Sequence, residues 1–205
     1  MKKLIKGFLL KILVDNFEQK KHPTNCSYNP HKIKIGKQSI IDVEFKIENG
    51  EKIFIGNNTY IGKQSWLASY KAGTDFANEI IIKIGDNVTI GNYSCITAIE
   101  CLEIMNGCLI SEYFYISDHT HGYDPAMSLV PVEQPLYSKG KVVVGENCFI
   151  GYRVSILPGV TIGRNCVIGA HSVVTKNIPD FCIAIGIPAR VIKKYNWETH
   201  KWEKV

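Results

Sequence analysis

The sequence predicts an all-β solenoid, a coil of short strands joined by tight corners, and three observations predict it. An aliphatic residue returns every six residues at Val144, Ile150, Ile156, Ile162, Ile168 and Val174. Glycine follows it at Gly145, Gly151, Gly163 and Gly169. Four residues after each aliphatic stands something small or β-branched: Cys148, Val154, Val160, Cys166 and Ser172. A period of six is neither the 3.6 of a helix nor the alternation of a simple strand. It reads as a short strand plus a glycine-assisted corner, stacked repeatedly into a narrow aliphatic core.

The elements follow in chain order. Residues 1–21 predict an N-terminal amphipathic helix, with Leu4, Ile5, Phe8, Leu9, Ile12 and Leu13 on one face. Lys6 and Lys11 interrupt the apolar run, so it reads neither as a signal peptide nor as a membrane span. It suits packing on the body or on a neighbouring subunit; the alternative is peripheral contact of residues 1–14 with a membrane surface. The coil is expected over residues 31–179. Ile35, Ile41, Ile47 and Ile53 keep the period, which slips by two and continues through Ile55, Ile61 and Leu67. Trp66 to Glu79 breaks phase and reads as a loop or irregular coil. The period resumes at Ile84, Ile90, Ile96 and Leu102, slips by two again, and runs through Ile104, Ile110 and Ile116. Corner glycines and asparagines such as Gly85, Asn87, Gly163 and Asn165 suit turns with unusual φ.

Residues 117–141 contain no repeat and predict an ejected loop, holding Asp118, His119, Thr120, His121 and Gly122. A loop of that length inside a compact solenoid is usually functional. Residues 180–205 form a short C-terminal extension, basic and aromatic, expected to hold a strand and a small helix.

Bulk properties narrow the classes. The 205 residues carry a formal net charge of +5, with lysines clustered at both ends. No basic stretch is interleaved with aromatics as nucleic-acid binding would favour. Seven cysteines without a C-x-x-C pair indicate neither a zinc ribbon nor a disulfide framework. Cys148 and Cys166 would stack on adjacent turns, near disulfide range, but read as reduced thiols filling a small inward position. That usage points to a reducing, cytoplasmic compartment.

The period, the phrase Val144 to Gly151, the run Ile156 to Gly163, the ending Val173 to Pro179 and the closing Gly186 to Ile192 resemble the hexapeptide-repeat acyltransferases. The nearest branch is that of the galactoside, maltose and polysaccharide O-acetyltransferases. The resemblance covers most of residues 31–193. It implies a left-handed parallel β-helix, against the usual right-handed crossover rule. It also implies a homotrimer with acetyl-CoA bound between subunits, no metal, and an O-acetylated saccharide as product, in polysaccharide biosynthesis.

Acyl transfer to a hydroxyl needs a base, because an alcohol is a weak nucleophile at neutral pH. Histidine titrates nearest neutrality. Two of the six histidines, His119 and His121, sit in the ejected loop beside Asp118. The family places its catalytic histidine in such a loop, so His119 is the expected general base and His121 the runner-up. Asp118 or a nearby carbonyl would orient the imidazole. The resemblance places an oxyanion donor near Gly151 and Tyr152, with Phe149 where the family often has tryptophan. It puts pantetheine contacts at Ala170, Thr175 and Lys176, and CoA phosphates at Arg190 and Lys193. Asn92 and Tyr93 become acceptor contacts. Competing readings are an N-acetyltransferase of an amino sugar nucleotide, a metal-dependent hydratase on the same coil, and a non-catalytic assembly module.

Overall fold

The computed structural model describes residues 33–70 and 80–205. The helix expected over residues 1–21 lies outside the described residues, as do residues 71–79. The rest is a left-handed parallel β-helix with three faces. Successive strands pass from the first face to the second to the third, so every third strand pairs. Lys34–Ile35, Ile53–Ile55 and Ile82–Ile84 begin the first face. Ile40–Ile41, Tyr60–Ile61 and Thr89–Ile90 begin the second. Lys46–Glu48, Trp66–Ser69 and Cys95–Ala98 begin the third. The periodic aliphatics fill the core: Ile55, Ile84, Ile104, Val144 and Ile162 are fully buried.

The phase slips have a simple cause. Register partners such as Lys34 and Phe54 stand 20 residues apart in the first coils. Phe149 and Val167 stand only 18 apart in the last ones. The extra pair lies at the vertex between the third and first faces, where Gly50–Lys52 forms a 3-10 turn. Both aliphatics of each slip belong to one strand, Ile53–Ile55 or Leu102–Ile104. The expected irregular stretch begins later than the sequence suggested: Trp66–Ser69 is a strand in register with Lys46–Glu48 and Cys95–Ala98.

Corner chemistry is divided differently from the expectation that glycine supplies unusual φ. Gly85, Gly91 and Gly163 do not have positive φ. They are glycine because the next coil leaves no room: a Cβ on Gly91 would stand 2.6 Å from the Glu112 nitrogen. One on Gly163 would overlap Asp180. The left-handed residue falls two positions later, at Asn87 (φ 56), Asn147 (φ 55) and Asn165 (φ 52), and asparagine tolerates that region better than most side chains.

Cys108, Cys148, Cys166 and Cys182 line one inner corner, each 1–2% exposed, and all are free thiols. The Cys148 thiol donates to the Gly163 carbonyl at 3.0 Å and that of Cys166 to the Pro179 carbonyl at 3.0 Å. Hydrogen bonds shared with Cys108 and Cys166, together with burial, push the Cys148 thiol far above its ordinary range.

The C-terminal extension departs from expectation. Cys182–Gly186, Ala189–Asn196 and Lys201–Lys204 form an antiparallel meander continuing the second face, with no helix among them. Edge-to-face contacts of Tyr195 with Trp197 and Trp202 tie its outer strands together.

Candidate active site

The excursion that breaks the repeat leaves the coil at the vertex between the third and first faces. Strand Tyr115–Ser117 runs in register with Cys95–Ala98 and Ser155–Ile156, which fixes the backbone up to Ser117. Beyond it His119–Thr120 pairs antiparallel with Tyr137–Ser138. Buried Gln134 braces the loop by accepting from the Asp124 amide at 2.8 Å and donating to the Leu129 carbonyl at 2.9 Å. The histidine loop is thus a closed hairpin rooted in a rigid strand, as precise placement of a reacting group requires.

Asp118 is completely buried. One carboxylate oxygen accepts from the Ile99 amide at 2.9 Å and faces His119 Nδ1 at 2.9 Å. The other accepts from the amides of Glu100 at 2.8 Å and Cys101 at 2.9 Å. These three amides belong to the wide corner of the preceding coil, the place of the second phase slip. Burial pushes the Asp118 carboxyl up, but His119 and the three amides outweigh it and hold the carboxyl below its ordinary value. Asp118 is therefore an anion at neutral pH, and it fixes the proton of His119 on Nδ1, leaving Nε2 as the basic nitrogen. Ser117 Oγ lies 3.2 Å from the same Nδ1, and the Tyr70 ring meets the imidazole edge-to-face at 5.8 Å. The His119 side chain keeps 10% of its surface exposed. His121, two residues on, is exposed.

The other candidate residues fall on separate parts of the coil. Thr175 and Lys176 follow strand Val173–Val174, which continues the face of Tyr115–Ser117, so they share the His119 vertex and are exposed. Gly151, Tyr152 and Ala170 lie at the opposite edge of the third face, with Asn92 and Tyr93 on earlier coils of that edge. Phe149 is exposed on the second face, where Lys193 and Arg190 belong to the meander. One chain therefore gathers His119 with Thr175 and Lys176, and holds the remaining candidates a face or more away.

Two details refine the expected roles. The Gly151 amide donates to the Ile168 carbonyl at 2.8 Å, so it is committed to the coil. At several other corners the amide after the glycine is capped by a side chain of the next coil, as Asn57 is by Asp86 at 2.6 Å and Arg164 by Asp180 at 3.0 Å. Above Tyr152 stands Ala170, which has no side-chain acceptor. The Asn92 amide is used at both ends, accepting from Lys63 at 3.1 Å and donating to Glu112 at 2.8 Å. Sequence reasoning missed Ser117, Tyr70 and the Ile99–Cys101 amides. Only the phase slip before Ile104 signalled the last. Among the described residues no group of histidine, cysteine and carboxylate side chains is arranged to hold a metal ion.

A hexapeptide coil carrying an Asp–His pair on a long excursion defines a class: a solenoid transferase. The profile described as bacterial transferase hexapeptide (six repeats) matches residues 141–176. WbbJ of Escherichia coli (strain K12), assigned by name to lipopolysaccharide biosynthesis O-acetyl transfer, is 36% identical over 163 residues, covering 77% of this chain and 80% of WbbJ. The galactoside O-acetyltransferase of the same strain is 48% identical over 71 residues, covering 32% of this chain and 35% of that enzyme. Among solved structures, AntD, an N-acyltransferase from Bacillus cereus in complex with dTDP and 3-hydroxybutyryl-CoA, superposes with a TM-score of 0.66 at 23% identity. That superposition covers 86% of this chain and 93% of AntD, and it shows the shared fold. The chain belongs to the hexapeptide-repeat acyltransferases, and it is an acetyltransferase.

Proposed function

We propose that the protein transfers acetyl from acetyl-CoA to a hydroxyl of a saccharide, with His119 as general base. The observation that carries this reading is the 2.9 Å pair between His119 Nδ1 and the buried, anionic Asp118. Nε2 takes the proton of the acceptor hydroxyl as its oxygen attacks the thioester carbonyl. The tetrahedral oxyanion accepts from the uncapped Tyr152 amide. Collapse expels the CoA thiolate, which recovers the proton from the imidazolium. Asp118 stabilises that imidazolium and keeps the ring in the useful tautomer. The names of WbbJ and the galactoside enzyme support a sugar acceptor and an O-acetyl product.

His119 and Tyr152 stand at opposite edges of one face, so the working site takes one set from each of two subunits. An exposed apolar column supports such an assembly. Ile40, Tyr60, Leu109 and Phe149 lie in register on the second face at 44%, 37%, 51% and 43% exposure, interrupted by Thr89 between Tyr60 and Leu109. A homotrimer built this way lodges acetyl-CoA between subunits.

The test is a panel of sugars, amino sugar nucleotides and glycans assayed for CoA release from acetyl-CoA, with products identified by mass and NMR. An ester on a sugar oxygen supports the reading. An amide product replaces it with N-acylation, and absence of both CoA binding and release leaves an assembly module.

A further inference from the structure

The vertex between the second and third faces carries an unusual run of side chains. At the vertex between the first and second faces, the left-handed corner position is filled by Asn58, Asn87, Asn147 and Asn165, with Gln38, Gly107 and Phe181 at its remaining corners. At the second-to-third vertex the same position holds Glu44 and Gln64 on the first two coils and then Tyr93, Tyr113, Arg153 and His171, at φ of 60, 57, 55 and 60. Bulky side chains are disfavoured in that region, and residues held there cluster at functional sites. Nothing in the coil requires them, since asparagine closes the equivalent corner one face away.

These residues form a continuous column. Tyr93 and Tyr113 stack at 4.8 Å with planes 18° apart. Tyr113 meets Tyr152 at 5.5 Å, and Tyr152 meets His171 at 5.6 Å. The Arg153 guanidinium lies 5.0 Å from the Tyr113 ring and 5.3 Å from that of Tyr152. Tyr93 and Tyr113 are 37% and 40% exposed, and Arg153 and His171 are exposed. Arg153 has no carboxylate partner among the described residues. Two rings hold it in place, so its fork of donors is preorganised for an anion. The column spans three coil-to-coil steps of about 4.8 Å, roughly 14 Å along the axis. That length suits several linked sugar units better than one.

We propose that Tyr93, Tyr113, Arg153 and His171 form an accessory subsite for a negatively charged oligosaccharide segment of the acceptor. The inference rests on the reading that the acceptor is a saccharide. Arg153 pairs with an acidic group of the ligand, and the tyrosines offer ring edges and hydroxyls to neighbouring sugars. In the two-subunit site proposed above, the edge that carries the Tyr152 amide also carries this column, so a chain held on it reaches the neighbouring subunit's His119 with a further unit.

Isothermal titration of the full chain with hexagalacturonate, maltohexaose and CoA tests the subsite. Hexagalacturonate is expected to bind at least about tenfold more tightly than maltohexaose, and Arg153→Ala to remove that preference. Tyr113→Asn is expected to weaken hexagalacturonate binding without lowering the melting temperature, since asparagine suits its φ. His119→Ala is expected to abolish acetyl transfer while leaving hexagalacturonate affinity intact, which separates failure of the chemistry from failure of the subsite. Equal affinity for the two hexasaccharides overturns the proposal. So does loss of CoA affinity in Arg153→Ala, which gives the column to the donor. A changed sedimentation coefficient in that variant also overturns it, making the column a subunit contact.

Discussion

Replacing Asp118 with asparagine isolates the interaction on which the site depends. The carboxylate makes four close polar contacts through two oxygens, with the amides of Ile99, Glu100 and Cys101 and with His119 Nδ1. An asparagine oxygen can keep one pair. Its NH2 then faces two buried donors, either Glu100 with Cys101 or Ile99 with His119. Each buried donor left without an acceptor costs about 1–3 kcal/mol, so the loss is about 2–6 kcal/mol if Glu100 and Cys101 are both unmet and about 1–3 kcal/mol if only Ile99 is, His119 then accepting through Nδ1. If the NH2 turns toward His119, the imidazole must present Nδ1 as acceptor and carry its proton on Nε2. The basic nitrogen is then lost to the acceptor, and kcat should fall by about 10²–10⁴. The stability loss also has a pH signature. Asp118 is held below its ordinary carboxylate value, so its contribution is present above about pH 4 and is lost as pH falls through the depressed folded value. Chemical denaturation of wild type and D118N from pH 7 to pH 3 should show a gap that closes in acid. A gap below about 0.5 kcal/mol at pH 7, or kcat within about threefold of wild type, would mean that Asp118 neither seats the loop nor fixes the imidazole.

The remaining expectations concern the scaffold and the loop. Gly163→Ala places a methyl group on Asp180 of the next coil and should cost about 1–3 kcal/mol by denaturant titration. Native alkylation mapped by mass spectrometry should label Cys95 and Cys101, which are partly exposed, before Cys108, Cys148, Cys166 and Cys182, which are 1–2% exposed. His121→Ala should lower kcat by less than about tenfold, because that imidazole is exposed and outside the Asp118 pair.

The coil was legible because its physics is periodic: an aliphatic at every sixth position can fill only a narrow repeated core. The excursion was legible as the place where that period fails. The Asp118 seat was harder to read. Its donors are backbone amides of residues 99–101, and amides carry no side-chain signature; their one trace was the slip between Leu102 and Ile104. In the sequence, corner glycines suggest unusual φ because that is a common use of glycine. Here the neighbouring coil excludes a Cβ, a constraint seen only once the coils are stacked. The Tyr93 to His171 column was invisible for the same reason, since its members lie up to a whole excursion apart in sequence and meet only through register. The meander at the C-terminus replaced an expected helix because Cys182–Gly186 continues the second face and offers an edge to Ala189–Asn196.

The central claim is that the proton of the acceptor hydroxyl leaves through His119. Its most direct test is the steady-state rate of acetyl transfer by His119→Ala with a saturating sugar acceptor, alongside titration of CoA and acceptor binding to the same protein. Both substrates should bind within about threefold of wild type while kcat falls by about 10²–10⁴. A variant that binds both substrates and turns over at the wild-type rate would contradict it.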